Sequence, residues 1–220
     1  MSEIAYDRLT VEKGPRRINQ EDAIRRSFDL VLSAAALILL SVPILILAIL
    51  IRIDSPGPAI FKQARLGKNC KPFVFYKFRT MYSDAATRFP HLYDYAALSN
   101  EPDFLFKRPE DPRLTRIGRW LRRTGLDELP NLINVVKGDC SLVGPRPDIP
   151  EMLPQYTATQ RARFAVRPGI TSLAHIKGGN KLTFAQTAFL DAEYVANRSW
   201  TLDAKILLLT ARTIIRGDLH

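Results

Sequence analysis

Cysteine is scarce in this chain: Cys70 and Cys140 are the only two in 220 residues, and they lie far apart. Such usage builds neither a disulfide framework nor a metal cluster, and it suits a reducing compartment. Histidine is almost as sparse. His91, His175 and His220 have no ligand-like spacing, which favours structural or exposed imidazoles over zinc ligands. No internal repeat or low-complexity tract is present. The glycines of Lys177-Gly178-Gly179-Asn180 match no strand-linked nucleotide fingerprint. A long apolar run near the start lacks the small-residue cleavage site of a removable signal peptide.

Positive charge is abundant instead. Lys and Arg number 32 against 22 Asp and Glu, a formal charge of +10. The excess is spread along the chain, which suits nucleic acid, an anionic membrane surface or phosphorylated substrates. The length allows one globular domain with attachments and a real core.

Residues 1–22 are polar and mixed in charge, a lead-in to a helix starting near Asn19 to Asp22. The apolar run follows from Phe28 to Ile51, broken only by Asp29, Ser33 and Ser41. About 20 such residues cross a bilayer as a helix. Ser41-Val42-Pro43 lies inside the run, and a proline there removes a backbone hydrogen bond and bends the helix. Ser41 can bond backbone groups freed at that bend. Arg16, Arg17, Arg25 and Arg26 precede the run, and Arg52, Lys62, Arg65 and Lys68 follow it. Positive residues prefer the cytoplasmic side, so both ends ask for the same face. A helix that enters, bends at Pro43 and returns satisfies both. On these features alone, re-entry and an ordinary kinked crossing stand level.

Asp54-Ser55-Pro56-Gly57-Pro58 breaks the chain. Ala59–Arg65 and Phe73–Arg79, joined through Gly67-Lys68-Asn69, have the pattern of a β-hairpin. Lys77 and Arg79 would share one face, either to reach an anion or as a solvated edge. Tyr93, Tyr95, Phe104, Leu105 and Phe106 suit a membrane interface or a core. From Leu114 to Arg123, apolar residues at helical spacing alternate with arginines and Trp120, a basic amphipathic helix fit for an anionic membrane surface. Next come Asp127 and Glu128, two carboxylates set among cations and apolar residues. Such a pair suits phosphate chemistry with a divalent metal, or simply opens a helix at its positive dipole end. Leu132–Val136 continues a helical face that Lys137-Gly138-Asp139 ends. Pro145 and Pro147 pin Arg146, and Arg167 is presented by Pro168-Gly169, so each is an anion clamp or a surface turn. Helices are expected over Pro150–Ala165, Thr183–Val195 and Asp203–Arg216, the last packed on the domain or on a membrane surface.

In order along the chain, these motifs resemble the monotopic phosphoglycosyl transferases, bacterial sugar transferases that start glycan assembly on a polyprenol phosphate. The resemblance spans Arg25 to Arg216. It rests on the arginine-rich start and the Ser41/Pro43 bend, Asp54-Ser55-Pro56-Gly57-Pro58, Tyr76-Lys77-Phe78-Arg79-Thr80-Met81, Asp111-Pro112-Arg113, Leu126-Asp127-Glu128-Leu129-Pro130, Gly138-Asp139 to Pro147, and Arg167-Pro168-Gly169-Ile170-Thr171. It implies an α+β, mostly helical, membrane-associated fold: a re-entrant helix-break-helix over 23–53, then a cytoplasmic catalytic domain over 54–220 with a small β-hairpin and amphipathic interfacial helices. It implies a UDP-sugar bound with Mg²⁺ and attack by the Asp127 carboxylate on the sugar-bearing phosphate. UMP leaves, and polyprenol phosphate captures the phosphosugar-enzyme intermediate. Asp127 and Glu128 are then the catalytic residues and the metal ligands, Glu128 as metal partner or proton acceptor. Arg122, Arg146 and Arg167 bind the diphosphate or polyprenol phosphate, with Lys77 and Arg79 behind them. The setting is the cytoplasmic face of a bacterial inner membrane, with no nucleic acid expected as partner. The chain departs from the family pattern at Gly125, where Ser is commoner, at Asn131 in place of Gln, and at Ser172-Leu173-Ala174-His175. These leave the sugar open. Larger relatives carry extra membrane helices upstream, so the resemblance implies the minimal catalytic form. A membrane-anchored basic binder of lipid or nucleic acid is the alternative, but it gives the acidic pair and the pinned arginines no purpose.

Overall fold

The computed structural model describes residues 18–93 and 111–216. The lead-in before residue 18, with Arg16 and Arg17, and the aromatic residues Tyr95, Phe104, Leu105 and Phe106 lie outside the described residues. The first two helices are α1 (Ile18–Leu39) and α2 (Ser41–Asp54), bent by 62° at the break between them. Pro43 sits in the first turn of α2, where it leaves the Leu39 carbonyl without its usual amide partner. Ser41 Oγ donates to the Ile38 carbonyl at 2.8 Å, a bond the sequence leads one to expect. Among the described residues no single helix is long and apolar enough to cross a membrane; this bent pair, taken together, meets the criterion of length and composition alone.

The polarity of α1 is inverted. Arg25, Asp29 and Ser33 recur every fourth residue and are buried, while Ile24, Phe28, Val31, Leu32, Ile38 and Leu39 are exposed. A helix on a water-soluble domain does the reverse. The buried stripe is fastened to the rest of the chain. Asp29 accepts from Ser141 Oγ at 2.7 Å and from the Leu142 amide at 3.1 Å. Arg25 pairs with Asp203 and lies 4.6 Å over the Trp200 ring. Arg26 donates to the Val135 carbonyl and, at 2.7 Å, to that of Val136. The start of α1 is thus built into the body that follows it.

The expected hairpin is present. Strand β1 (Ile60–Leu66) pairs antiparallel with β2 (Pro72–Phe78), in register from Ile60 opposite Phe78 to Leu66 opposite Pro72. A short helix, α3 (Ala85–Arg88), follows. Next come α4 (Arg116–Thr124) and α5 (Asn131–Lys137). Thr115 starts α4 by accepting from the Gly118 amide at 2.9 Å. Gly118 lets α4 come in close, because a β-carbon there would stand 1.9 Å from the Thr80 carbonyl oxygen.

A second pairing was not foreseen. Strands β3 (Ser141–Val143) and β4 (Gly169–Thr171) run parallel. Between them, the helix expected over Pro150–Ala165 is two 3₁₀ segments, Pro150–Gln155 and Gln160–Ala165. Pro154 has no amide to continue the first. Thr157 and Gln160 exchange side-chain and backbone bonds at 3.0 and 3.3 Å in the turn that leads into the second. The chain ends with α6 (Leu173–Lys177), α7 (Phe184–Asn197) and α8 (Trp200–Arg216). The α+β, mostly helical class holds. One apolar cluster, Leu47, Ile51, Phe78 and Leu121, locks α2 to β2 and α4. A second, around Met152, Tyr156 and Phe164, and a third, around Val143, Tyr194 and Ile206, carry the C-terminal half.

Candidate active site

Helix α4 stops at Gly125, whose φ of 70° is left-handed. Glycine reaches that conformation without strain. The chain then makes one 3₁₀ turn over Leu126–Glu128, and α5 starts at Asn131. The acidic pair therefore sits on a tight turn wedged between two helices, not on an ordinary helix start. Asp127 is only 3 % exposed. Asp127 and Glu128 line a cavity of about 410 Å³ that Lys77, Thr80, Arg122 and Arg146 also line.

Both Glu128 oxygens are engaged. Oε1 accepts from Arg146 Nη2 at 3.0 Å, and Oε2 from Asn131 Nδ2 at 3.2 Å. The Glu128 carboxylate raises the Arg146 pKa above its ordinary value, so this cation stays charged. Arg122 is aimed from the side. Its Nε donates to Thr80 Oγ1 at 3.1 Å, and its Nη1 lies 3.4 Å from Asp111 Oδ2. Asp111 is itself gripped at both oxygens by Arg113, at 2.8 Å each. Burial alone would raise the Asp111 pKa, but the Arg113 hydrogen bonds outweigh it and hold it below the carboxylate range. Lys77 lies on the same wall, 5.6 Å over the Phe61 ring. Its ammonium is pushed down to about 7, by burial first and then by Arg65 and Arg122, against the pull of Asp127 and Glu128.

Two expected anion ligands have other partners. Arg79 lies one residue past β2 and is buried, and its guanidinium turns to the end of α2. There it donates to the carbonyls of Ser55 at 2.7 Å, Gly57 at 3.4 Å and Pro56. A helix C-terminus leaves carbonyls open and attracts a cation, which explains the capture. Arg167 does not line the cavity. Its Nε donates to the Gly138 carbonyl at 3.1 Å, past the end of α5, beside the bonds from Arg26. Of the five cations, Lys77, Arg79, Arg122 and Arg146 line the cavity with the acidic pair and Arg167 does not, but the Arg79 guanidinium is turned to the end of α2. Sequence reasoning gave Asp111 and Thr80 no role. The Asp-x-Arg spacing at Asp111 and Arg113 was the available signal, since it lets one guanidinium span its own neighbour's carboxylate.

Among the described residues, no group of three or more His, Cys, Asp or Glu is arranged to hold a metal ion. The adjacent Asp127 and Glu128 carboxylates nevertheless fit Mg²⁺. That ion takes one or two carboxylates and fills its shell with water and substrate phosphate. A wall that sets Asp127 and Glu128 beside Lys77, Arg122 and Arg146 suits a doubly or triply charged phosphate bound beside a metal.

Comparison with known proteins identifies the family. The model of a family described as bacterial sugar transferase matches residues 20–217. The chain belongs to the bacterial sugar transferase family. Among its relatives, this sugar transferase is 41 % identical over 195 residues to the uncharacterised sugar transferase EpsL of Bacillus subtilis, covering 89 % of each chain. It is 38 % identical over 203 residues to the undecaprenyl-phosphate galactose phosphotransferase of Salmonella typhimurium, covering 89 % of this chain and 41 % of that one. It is 39 % identical over 199 residues to the undecaprenyl-phosphate glucose phosphotransferase of Komagataeibacter xylinus, covering 86 % and 35 %. The chain thus spans well under half the length of the latter two.

Proposed function

We propose that this transferase moves a sugar phosphate from a UDP-sugar to polyprenol phosphate, releasing UMP, through a phosphosugar carried on Asp127. The names of relatives support the overall reaction; one is a UDP-glucose:undecaprenyl-phosphate glucose-1-phosphate transferase of Caulobacter vibrioides. The setting of the acidic pair among cations on one cavity wall supports the covalent route. Glu128 is tied at both oxygens by Arg146 and Asn131. Asp127, next to it and buried in the same cavity wall, faces the space that Lys77, Arg122 and Arg146 also line, where a bound diphosphate would meet it.

In the first step an Asp127 carboxylate oxygen attacks the sugar-bearing phosphorus. The bond from that phosphorus to the bridging oxygen breaks, and UMP departs with the electron pair. In the second, an oxygen of polyprenol phosphate attacks the same phosphorus, and the carboxylate leaves as aspartate. Arg122, Arg146 and Lys77 hold the diphosphate oxygens and neutralise charge, which is most of what phosphoryl transfer needs from a protein. Mg²⁺ held by Asp127 and Glu128 would add Lewis-acid neutralisation of the charge that builds on the departing UMP. Glu128 is metal partner or proton acceptor. The bent α1–α2 pair enters the cytoplasmic leaflet of the inner membrane and returns. Its outward apolar side chains meet lipid, and the cavity lies where a soluble nucleotide and a lipid phosphate meet.

Purified protein with Mg²⁺ and radiolabelled UDP-sugar should acquire label on the chain, and Asp127→Asn should acquire none. Label persisting in that variant would remove the covalent role. UMP release without a trapped adduct in the wild type would favour an acidic pair that only holds metal.

A further inference from the structure

Arg146 reaches Glu128 from a segment that no helix or strand supports: it follows β3 and lies between Pro145 and Pro147. Its backbone is held from behind. The Arg146 amide donates to Asp191 Oδ2 at 3.3 Å, and the Arg146 carbonyl accepts from Arg163 Nη2. Arg163 and Asp191 close the bracket with a 2.6 Å ion pair whose side chains are 2 % and 0 % exposed. Asp191 comes from the middle of α7 and Arg163 from the second 3₁₀ segment, so two separate elements converge on one peptide unit. The bracket continues along the segment. Arg163 also donates to Tyr156 Oη, which donates at 2.7 Å to Asp148 Oδ2. Arg65 donates to the Pro147 carbonyl at 3.1 Å.

Stability alone does not account for this pair. Asp191 Oδ1 is buried without a hydrogen-bond partner, an expensive arrangement that an apolar pair of similar volume would avoid. What the pair supplies instead is a fixed place for Arg146. With two prolines limiting φ and both backbone polar groups held, little freedom remains before the guanidinium meets Glu128.

We infer that Asp191 and Arg163 are positioning residues, acting through Arg146 to set the cation that orients Glu128 and receives the donor diphosphate. This rests on the reaction proposed above. Neither touches the reacting atoms in this role.

The test is a double-mutant cycle of Asp191→Asn with Arg146→Ala in the full chain, read by UMP release and by UDP affinity in calorimetry. Asp191→Asn should weaken both readouts roughly tenfold when Arg146 is present and by less than about twofold when it is Ala, because contacting sites couple. Equal losses in the two backgrounds would overturn the inference, since a merely structural role does not depend on the Arg146 side chain. If Asp191→Asn fails to fold, the pair Asp191→Leu with Arg163→Met removes both charges together and takes its place in the cycle. It too should lose UDP affinity only where Arg146 is present. A wild-type protein that binds UDP yet releases no UMP would refute the proposed reaction while the affinity cycle still judges the bracket. A wild-type protein that does not bind UDP overturns both.

Discussion

Replacing Asp111 by Asn should cost this fold more than any exposed charge could. The Asp111 side chain is 0 % exposed and that of Arg113 is 7 %. Oδ1 accepts from the Arg113 amide at 3.1 Å and from its Nε at 2.8 Å, while Oδ2 accepts from Nη2 at 2.8 Å. Asparagine keeps one acceptor and turns the other into an NH₂ facing a guanidinium. It also leaves Arg113 buried without its counter-charge. Breaking a buried pair from one side costs about 3–5 kcal/mol. For a chain of this size that lowers the melting temperature by about 6–20 °C. Removing both partners, as Asp111→Leu with Arg113→Met, should restore most of the loss, because no lone charge is then left inside. Thermal unfolding of detergent-solubilised protein, followed by circular dichroism, measures both. A single variant melting within about 2 °C of wild type would refute the argument that this pair is desolvated. The pH dependence follows from the lowered Asp111 pKa. Burial opposes it, but the Arg113 hydrogen bonds and charge prevail. A depressed carboxylate pKa contributes stability that is fully present above the unfolded value of about 3.9 and is lost as the pH falls through the folded one. The wild type should therefore lose stability faster than Asp111→Asn below about pH 4.

Two further outcomes are expected. The Lys77 ammonium titrates at about 7 in the free protein, and a bound diphosphate favours its charged form. UDP binding should therefore take up a proton near or above pH 7, and affinity should fall as the pH rises through that region. Calorimetry in two buffers of different ionisation enthalpy at about pH 7.5 should give different apparent enthalpies, and Lys77→Met should make them equal. Equal enthalpies for the wild type would contradict the lowered Lys77 pKa. For the membrane arrangement, single cysteines at Arg17 and Lys68, in a chain without Cys70 and Cys140, should both resist an impermeant thiol reagent in intact cells. Labelling of position 17 from outside would mean that the bent pair crosses.

What the sequence made legible was mostly local. The bend at Ser41 and Pro43, the hairpin, the basic helix and the left-handed stop at Gly138 each follow from residues within a turn or two. Asp127, Glu128 and Arg146 stood out because motifs place charge beside rigid backbone. Arg167 carried the same signal, and Arg79 shared a strand face with Lys77, yet both guanidinia bond elsewhere. Their partners are carbonyls at helix ends, and a sequence does not show which helix terminus a distant cation will meet. The parallel contact of β3 with β4 is non-local in the same way. Gly144 and Gly169 are its mark, since a β-carbon on Gly169 would lie 2.1 Å from the Gly144 nitrogen. In one sequence those glycines look like ordinary turns.

In the proposed topology, the inverted stripe on α1 ties the membrane segment to the proposed chemistry. Arg26 holds the carbonyls that end α5, and α5 begins three residues after Glu128. Asp29 holds Ser141 and Leu142 in β3, and β3 runs into the segment that bears Arg146. One helical turn of the anchor thus grips both chain segments that converge on the acidic pair, one carrying the carboxylates and the other their cation. A hinged tether would let the cavity swing relative to the lipid. This attachment is made without a linker, because Arg26 and Asp29 of α1 are bonded to the same elements that lead to the site. In the proposed topology, the depth at which α1 enters the leaflet therefore sets the height of Asp127 above the lipid phosphate. That explains why an apolar segment keeps an arginine, an aspartate and a serine on one face. Each is costly against lipid, and all are satisfied or enclosed where they meet the domain.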